Sequence, residues 1–510
     1  MSQGKSRTQI SGQAGSPGKP EGVSLEVGGV HSNAQESWID LWTLKAETRQ
    51  QLKNARRDAA CSQMMQRSEG QGDGSQEIET PDKVRKLQRT LYRKAKAEPN
   101  YRFWSLYGEL SRMNLLEHAL KLVARNGGAP GIDGQTVTEI SATEQTKHQW
   151  LEAVQRELQN QTYRPSPVRR VYIPKGDGGQ RPLGIPTVKD RVVQMTALLV
   201  LSPVFEADFH PNSFGFRPRC NAHQALDAII DALRDGKLEV VDADLTKYFD
   251  TIPHTKLMRL LAKRISDGSM LGLLRQWLEA PVVEEGADGK QRVLPNRQGV
   301  PQGGVISPLL ANVYLNALDW AVNNPKEKSQ PVMVRYADDL VILCEPGQGD
   351  QLHARLSRWL EARGLKLNEE KTRRVHSRAA FNFLGFTVRW QPSRRSGRWY
   401  AHVEPSAKSR RRLHDKVREH LNHWTLHRSI SQSVYELNRV LRGWGQYFHY
   451  RNSSRVFGKT NQWVADRLRR WLWRKQRRTK ALWEAFPDSL LYERYELWEL
   501  PESASIRGNQ

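Results

Sequence analysis

Tyr336-Ala337-Asp338-Asp339 lies between two apolar runs, Val332 to Arg335 and Leu340 to Cys344. Each run has the length of a short strand, and the four residues between them suit a tight hairpin turn. Two adjacent carboxylates at such a turn repel one another and resist burial, so they persist where cations neutralise them or water solvates them. Acids also occupy turns for ordinary conformational reasons. What separates the two readings lies upstream.

There, Leu238 and Val240-Val241-Asp242-Ala243-Asp244 form an apolar run that ends in carboxylates, followed by Leu245-Thr246-Lys247-Tyr248-Phe249-Asp250. This pattern predicts a strand delivering an acid. Beside the Asp338-Asp339 hairpin, that acid would complete a set of hard oxygen ligands for two Mg²⁺ ions. Such a pair suits nucleotidyl transfer: one ion lowers the pKa of an attacking 3′-hydroxyl and the other stabilises the leaving pyrophosphate. No protein nucleophile is then required.

Further blocks stand in a consistent order. They are Asn126 to Gly134 (NGGAPGIDG), Ile173-Pro174-Lys175, Arg181 to Pro186 (RPLGIP) and Ser213 to Pro218 (SFGFRP). After the Asp244 block come Gly299-Val300-Pro301-Gln302-Gly303, the Tyr336 block, Gly364 to Asn368 (GLKLN) with Lys371, and Phe383-Leu384-Gly385-Phe386. Together they resemble the reverse transcriptases of the group II intron maturase family, over roughly Leu115 to Lys480. The resemblance implies an α+β right-hand polymerase of fingers and palm, followed by an all-α thumb, or maturase (X) domain. Leu441 to Phe448 (LRGWGQYF) is similar to part of that last domain.

The same resemblance implies roles for individual residues. Asp244, Asp338 and Asp339 would be the catalytic, metal-binding carboxylates, with Asp242 and Asp250 at lesser positions. Phe249 would block a ribose 2′-hydroxyl and favour dNTPs. Lys175 and Arg181 would grip the incoming triphosphate as a point charge and a planar fork. Gln302 would contact the nucleotide sugar, with flanking glycines allowing close backbone approach. Each also has a plain reading: core packing for Phe249, solvated cations for Lys175 and Arg181, and a loop before a helix for Gln302. Ser307-Pro308 predicts that helix, as N-cap and first turn, running through Trp320. For Arg217 and Lys371, nucleic-acid phosphate, nucleotide and local acids all remain open.

Composition points the same way. The 510 residues carry a net charge of +24, and a pI near 10.0 suits a multidomain protein with a polyanionic partner. Between Pro405 and Lys480 stand 20 Lys/Arg against 4 Asp/Glu, a net +16, so two thirds of the excess is local. Val434, Leu437, Leu441 and Trp444 recur there at helical spacing, as do Val464, Leu468 and Trp471. On the second helix Arg467, Arg470, Arg474 and Arg478 share a face away from the apolar stripe, which predicts a cationic ridge able to lie along RNA. The aromatics Trp444, Tyr447 and Phe448 could stack on bases, but aromatics on helices more often pack in a core.

The predicted organisation is an N-terminal extension over 1–80, largely disordered with a helix within Trp38 to Met65, then fingers and palm over 81–390. A thumb/maturase domain over 391–480 and a C-terminal tail over 481–510 follow. Helices are expected at Asp82–Ala97, Tyr101–Arg125 and Gln149–Gln159, and Pro392 to Gly397 reads as the connection to the thumb. Cys61, Cys220 and Cys344 are too scattered for a disulfide framework or zinc site. Many relatives of such proteins carry an HNH-type endonuclease with paired cysteines, and none is predicted here. No apolar run reaches membrane-spanning length, and no secretory segment is read, so a cytoplasmic, bacterial setting fits.

The function expected is RNA-directed DNA synthesis together with assistance to splicing of an intron RNA. The expected cofactors and partners are two Mg²⁺ ions, dNTPs, the group II intron RNA, an RNA template and a DNA primer or target. A domesticated relative in host DNA repair or defence shares every motif. A splicing cofactor with a spent polymerase site does not, because Asp244, Asp338 and Asp339 are intact.

Overall fold

Strands that bury both faces read as continuous apolar runs, and this accounts for the central sheet. Val241, Met333, Leu340 and Ile342 enter one hydrophobic core, while Val240, Val334, Val341 and Leu343 enter a second on the opposite face. The alternation is the period of two expected of a strand. The structure, a computed structural model, describes residues 78–174, 179–286, 290–324, 330–476 and 481–501. These fall in one unit of the chain, Gly70–Gln510. The expected N-terminal disorder, the helix within Trp38 to Met65 and Cys61 lie outside the described residues.

In chain order the helices of two turns or more are α1 (Asp82–Ala97), α2 (Met113–Arg125), α3 (Glu144–Gln159), α4 (Val188–Glu206), α5 (Ala222–Arg234), α6 (His254–Leu261) and α7 (Gly268–Glu279). Then come α8 (Ser307–Val322), α9 (Gly349–Glu361), α10 (Ala407–His420), α11 (Ile430–Phe448) and α12 (Ser454–Gln476). Early strands are β1 (Val168–Pro174), β2 (Gln180–Ile185), β3 (Glu239–Ala243), β4 (Val282–Glu285) and β5 (Gln291–Leu294). Later ones are β6 (Val332–Tyr336), β7 (Asp339–Cys344), β8 (Arg373–His376), β9 (Phe381–Phe383), β10 (Phe386–Pro392) and β11 (Trp399–Pro405).

They assemble as three sheets: β2-β1-β4-β5 in the fingers, β6-β7-β3-β8 in the palm, and β11-β10-β9 beside the thumb. The palm sheet is antiparallel throughout. The mixed architecture is the expected right hand. Three expectations shift in detail. Tyr101–Arg125 is divided into a 3₁₀ turn at Tyr107–Ser111 and α2. Ser307 is the first residue inside α8 rather than its cap, and its hydroxyl bonds Pro301 O at 2.8 Å. Pro392 to Gly397 is not the thumb connection but belongs to the β10–β11 hairpin, whose register ends at Pro392↔Trp399. The chain enters α10 only after β11, with Ser406 as N-cap.

Helices α10, α11 and α12 pack a third core from Leu413, Leu437, Leu441, Val464, Leu468 and Trp471. Residues 481–501, set apart in the sequence as a tail, help build it with Phe486, Leu491 and Leu497. The last stretch is held by two asparagines. Asn438 donates to Glu496 O at 2.7 Å and accepts from Trp498 N at 2.8 Å. Asn461 does the same for Leu500, donating to its O at 3.0 Å and accepting from its N at 3.0 Å. Leu500 itself enters the palm-side core with Phe386, Phe448 and Phe457. Phe448 and Trp444 pack as the sequence predicts, and the Tyr447 hydroxyl donates to Leu384 O at 2.9 Å. Among the described residues no helix is long and apolar enough to cross a membrane.

Candidate active site

The register of the palm sheet decides where the acids meet. Strand β3 pairs with β7 through Ala243↔Leu340, and the β6–β7 hairpin closes at Tyr336↔Asp339. Asp244, one residue past Ala243, and the Asp338-Asp339 turn therefore emerge at the same end of the sheet. Asp338 is raised above the ordinary carboxylate value by burial and by Asp244, with Arg181 and Arg335 opposing. Asp339 is pushed up to about 6 by burial, then by Asp338, Asp244 and Asp242. Asp339 nevertheless remains exposed at the surface. Asp242 also rises to about 6, by burial and Asp244 against the opposing charge of Arg373.

The turn is strained and braced. Ala337 takes φ +60°, a left-handed conformation that costs a residue with a Cβ on the order of 1–2 kcal/mol. Arg335, only 1% exposed, holds it from below by donating Nη1 to Ala337 O at 2.8 Å. The same guanidinium forks onto Asp319 at 2.8 and 2.6 Å and reaches Asn312 Oδ1 at 2.8 Å. Burial alone would weaken its hold on the proton, and the Asp319 carboxylate more than offsets this. Asn312 in turn donates to Gly215 O at 2.8 Å. A Cβ on Gly215 would lie 2.2 Å from Ala337 N, so only glycine lets this loop pass beneath the turn. The sequence reading missed Arg335, Asp319 and Asn312. The available signal was an arginine in the inward phase of an apolar strand, which requires a buried partner.

A second loop joins palm to fingers. Gly299 takes φ +87° against the Asp250 backbone, where a Cβ would sit 2.8 Å from Asp250 O. Val300 N donates to Phe249 O at 2.7 Å, and Gln302 Nε2 reaches Asp250 Oδ1 at 3.3 Å. On the finger side Gly184 N donates to Gln302 O at 2.6 Å. Arg181, on the same strand β2, is close enough to oppose the rise at both Asp338 and Asp339. Phe249 packs on the core. The structure thus couples Asp244, Asp338, Asp339 and Arg181 electrostatically and ties Phe249 and Gln302 to the Asp250 loop beside β2, while Lys175 lies outside the described residues.

The two open cations resolve differently. Arg217 is spent on Glu206, with Nη2 at 2.5 Å, and on the carbonyls of His210 and Ser213. Lys371 Nζ stands 3.7 Å from Asp244 Oδ2. Among the described residues no three His, Cys, Asp or Glu side chains are grouped closely enough to hold a metal ion as they stand. The donor set nevertheless suits a hard divalent cation. Its oxygens all belong to carboxylates, and mutual repulsion disfavours their joint ionisation without one.

On the thumb, Arg470 and Arg474 are exposed, while Arg467 is half-buried with its Nε left without a hydrogen bond. Burial, then Arg474, Arg418 and Arg470, lower its proton affinity, which extends the ridge onto α10. His414 stacks on Trp463 at 3.9 Å and Arg418 lies 5.5 Å over the same ring. Arg478 lies outside the described residues.

Comparison with known proteins fits this layout. Residues 173–388 match the reverse transcriptase (RNA-dependent DNA polymerase) family, and residues 410–486 match the group II intron maturase-specific domain. Protein YkfC of Escherichia coli is 34% identical over 344 residues, covering 59% of this chain and 87% of that protein. The group II intron-encoded protein LtrA of Lactococcus lactis is 29% identical over 396 residues, covering 62% of each. Among solved structures, telomerase from Candida albicans aligns at a TM-score of 0.37 with 14% identity, over 70% of this chain and 71% of that one. The chain belongs to the group II intron reverse transcriptases, RNA-directed DNA polymerases that carry a maturase domain.

Proposed function

We propose that Asp244, Asp338 and Asp339 hold two Mg²⁺ ions and that the cleft above them extends a DNA 3′ end along an RNA template. The observation that carries this reading is the electrostatic coupling of three carboxylates drawn from two distant segments to one end of the palm sheet. Magnesium, when bound, lowers the pKa of the primer hydroxyl and offsets charge on the departing pyrophosphate. The chain's own residues do the positioning. Arg335 and Gly215 fix the acid turn, so Asp338 and Asp339 are pre-aimed rather than recruited. Arg181, and Lys175 with it, takes the triphosphate, the former as a bidentate fork. Gln302, tethered to Asp250, meets the sugar, and Phe249 fills the space a 2′-hydroxyl would need.

The ridge of Arg467, Arg470 and Arg474, continued by Arg418 on α10, binds intron RNA through its phosphates, a role the sequence also gives to Arg478. The protein then holds the folded intron while the RNA carries out transesterification. The test is primer extension beside a splicing assay, using the RNA encoded around this reading frame. Asp338→Ala should abolish extension with Mg²⁺ and keep RNA binding and splicing support. Extension that survives the substitution refutes the metal assignment.

A further inference from the structure

Away from the palm, a groove of about 350 Å³ opens on the thumb between α11 and the segment that follows α12. Its size falls at the lower end of sites that enclose a small organic ligand. On α11, Tyr435, Arg439 and Arg442 fall on one narrow stripe of the helix and are exposed. Opposite them stand Arg494, Tyr495 and Glu496. The second wall is fixed in place. Glu496 takes φ +54°, and Asn438 clamps both its carbonyl and the following Trp498 N–H. Among the described residues none of the three arginines pairs with a carboxylate, although Glu496 lines the same groove. Such guanidiniums supply unused forks that match phosphate oxygens.

We propose that this groove takes a single guanosine nucleotide extruded from an RNA strand, a contact that rests on the thumb's role as an RNA surface. Arg439, Arg442 and Arg494 receive its phosphates, and Tyr435 and Tyr495 supply flat rings for the base. Glu496 selects the base. Guanine alone among the four presents two adjacent donors, N1–H and N2–H, to a bidentate carboxylate. Adenine, cytosine and uracil each set an acceptor beside the donor and repel one carboxylate oxygen. An acidic peptide would meet the same arginines but leave both tyrosines and Glu496 unsatisfied.

The full chain is titrated by fluorescence anisotropy with a uridine oligonucleotide of about 12 residues, and with the same oligonucleotide carrying one central guanosine. The guanosine strand should bind about tenfold tighter, in the range of one bidentate base contact. Glu496→Gln, and separately the Arg439→Ala/Arg442→Ala pair, should bring it down to the affinity of the all-uridine strand. Equal affinity for the two strands, or a preference that survives Glu496→Gln, overturns the proposal. So does competition by a glutamate-rich peptide at the concentration where the guanosine strand competes. Failure of the ridge reading shows differently, as loss of the salt dependence of all-uridine binding.

Discussion

Replacing Asp339 by Asn should destroy primer extension and, at neutral pH, make the protein more stable. The carboxyl rises from an ordinary 3.8 to about 6, through burial first and then through Asp338, Asp244 and Asp242. A shift of that size penalises the ionised form by roughly 3 kcal/mol for a group cut off from water. Asp339 is exposed at the surface, and solvent screening reduces the figure to about 1 kcal/mol. The folded value lies above the unfolded one, so the folded chain retains the proton longer and its ionised carboxylate costs stability above about pH 6. Asparagine carries no such cost. Thermal melts followed by dye fluorescence should put Asp339→Asn above wild type at about pH 7.5, by roughly 1–2 °C for a chain of this length. The gap should close as pH falls from about 6 toward 4. Magnesium at ten times its dissociation constant should stabilise wild type by about 1.4 kcal/mol and the variant by less. A variant that melts lower at neutral pH, or a gap that ignores pH, refutes the reasoning.

Reversing Arg467, Arg470 and Arg474 to Glu should weaken RNA binding and flatten its salt dependence. For single-stranded RNA the slope of log affinity against log salt should fall by about 2, and an unchanged slope means the ridge faces solvent. Gly215→Ala drives a Cβ to 2.2 Å from Ala337 N, so extension should collapse with a loss of about 1–3 kcal/mol in stability; a melt and rate equal to wild type would show that the loop yields freely. Asn461→Ala leaves the Leu500 N–H and C=O without their partners, at a cost of about 1–3 kcal/mol. Limited proteolysis should then cut first between Leu497 and Leu500, and a cleavage pattern like wild type would count against the clamp.

Much of the palm was legible because its signals are local. The acid turn is flanked by runs whose phase fixes its strands, and Asp244 ends a run of the same kind. The bracing beneath was not, because Arg335 finds Asp319 and Asn312 on α8, and nothing near Arg335 in the chain names them. Arg217 shows the same limit: its partner Glu206 belongs to the end of α4, and only folding decides that a local acid wins over phosphate. The C-terminal segment escaped for another reason. Phe486, Leu491, Leu497 and Leu500 follow neither a helical nor a strand period, and the segment is fixed by its backbone meeting Asn438 and Asn461. Composition and periodicity do not register a contact of that type. Pro392 to Gly397 was misread because a hairpin turn and a linker share one vocabulary of Pro, Ser and Gly.

Leu497 belongs to the thumb core and Leu500 to the core beneath the palm, so four consecutive residues rivet two parts of the hand into one mechanical piece. Cross-links of Tyr450 and Arg451 to Asp227 on α5 add to the joint. Turning the thumb against the palm would pull Leu497 or Leu500 out of its core, so burial at this joint opposes that motion.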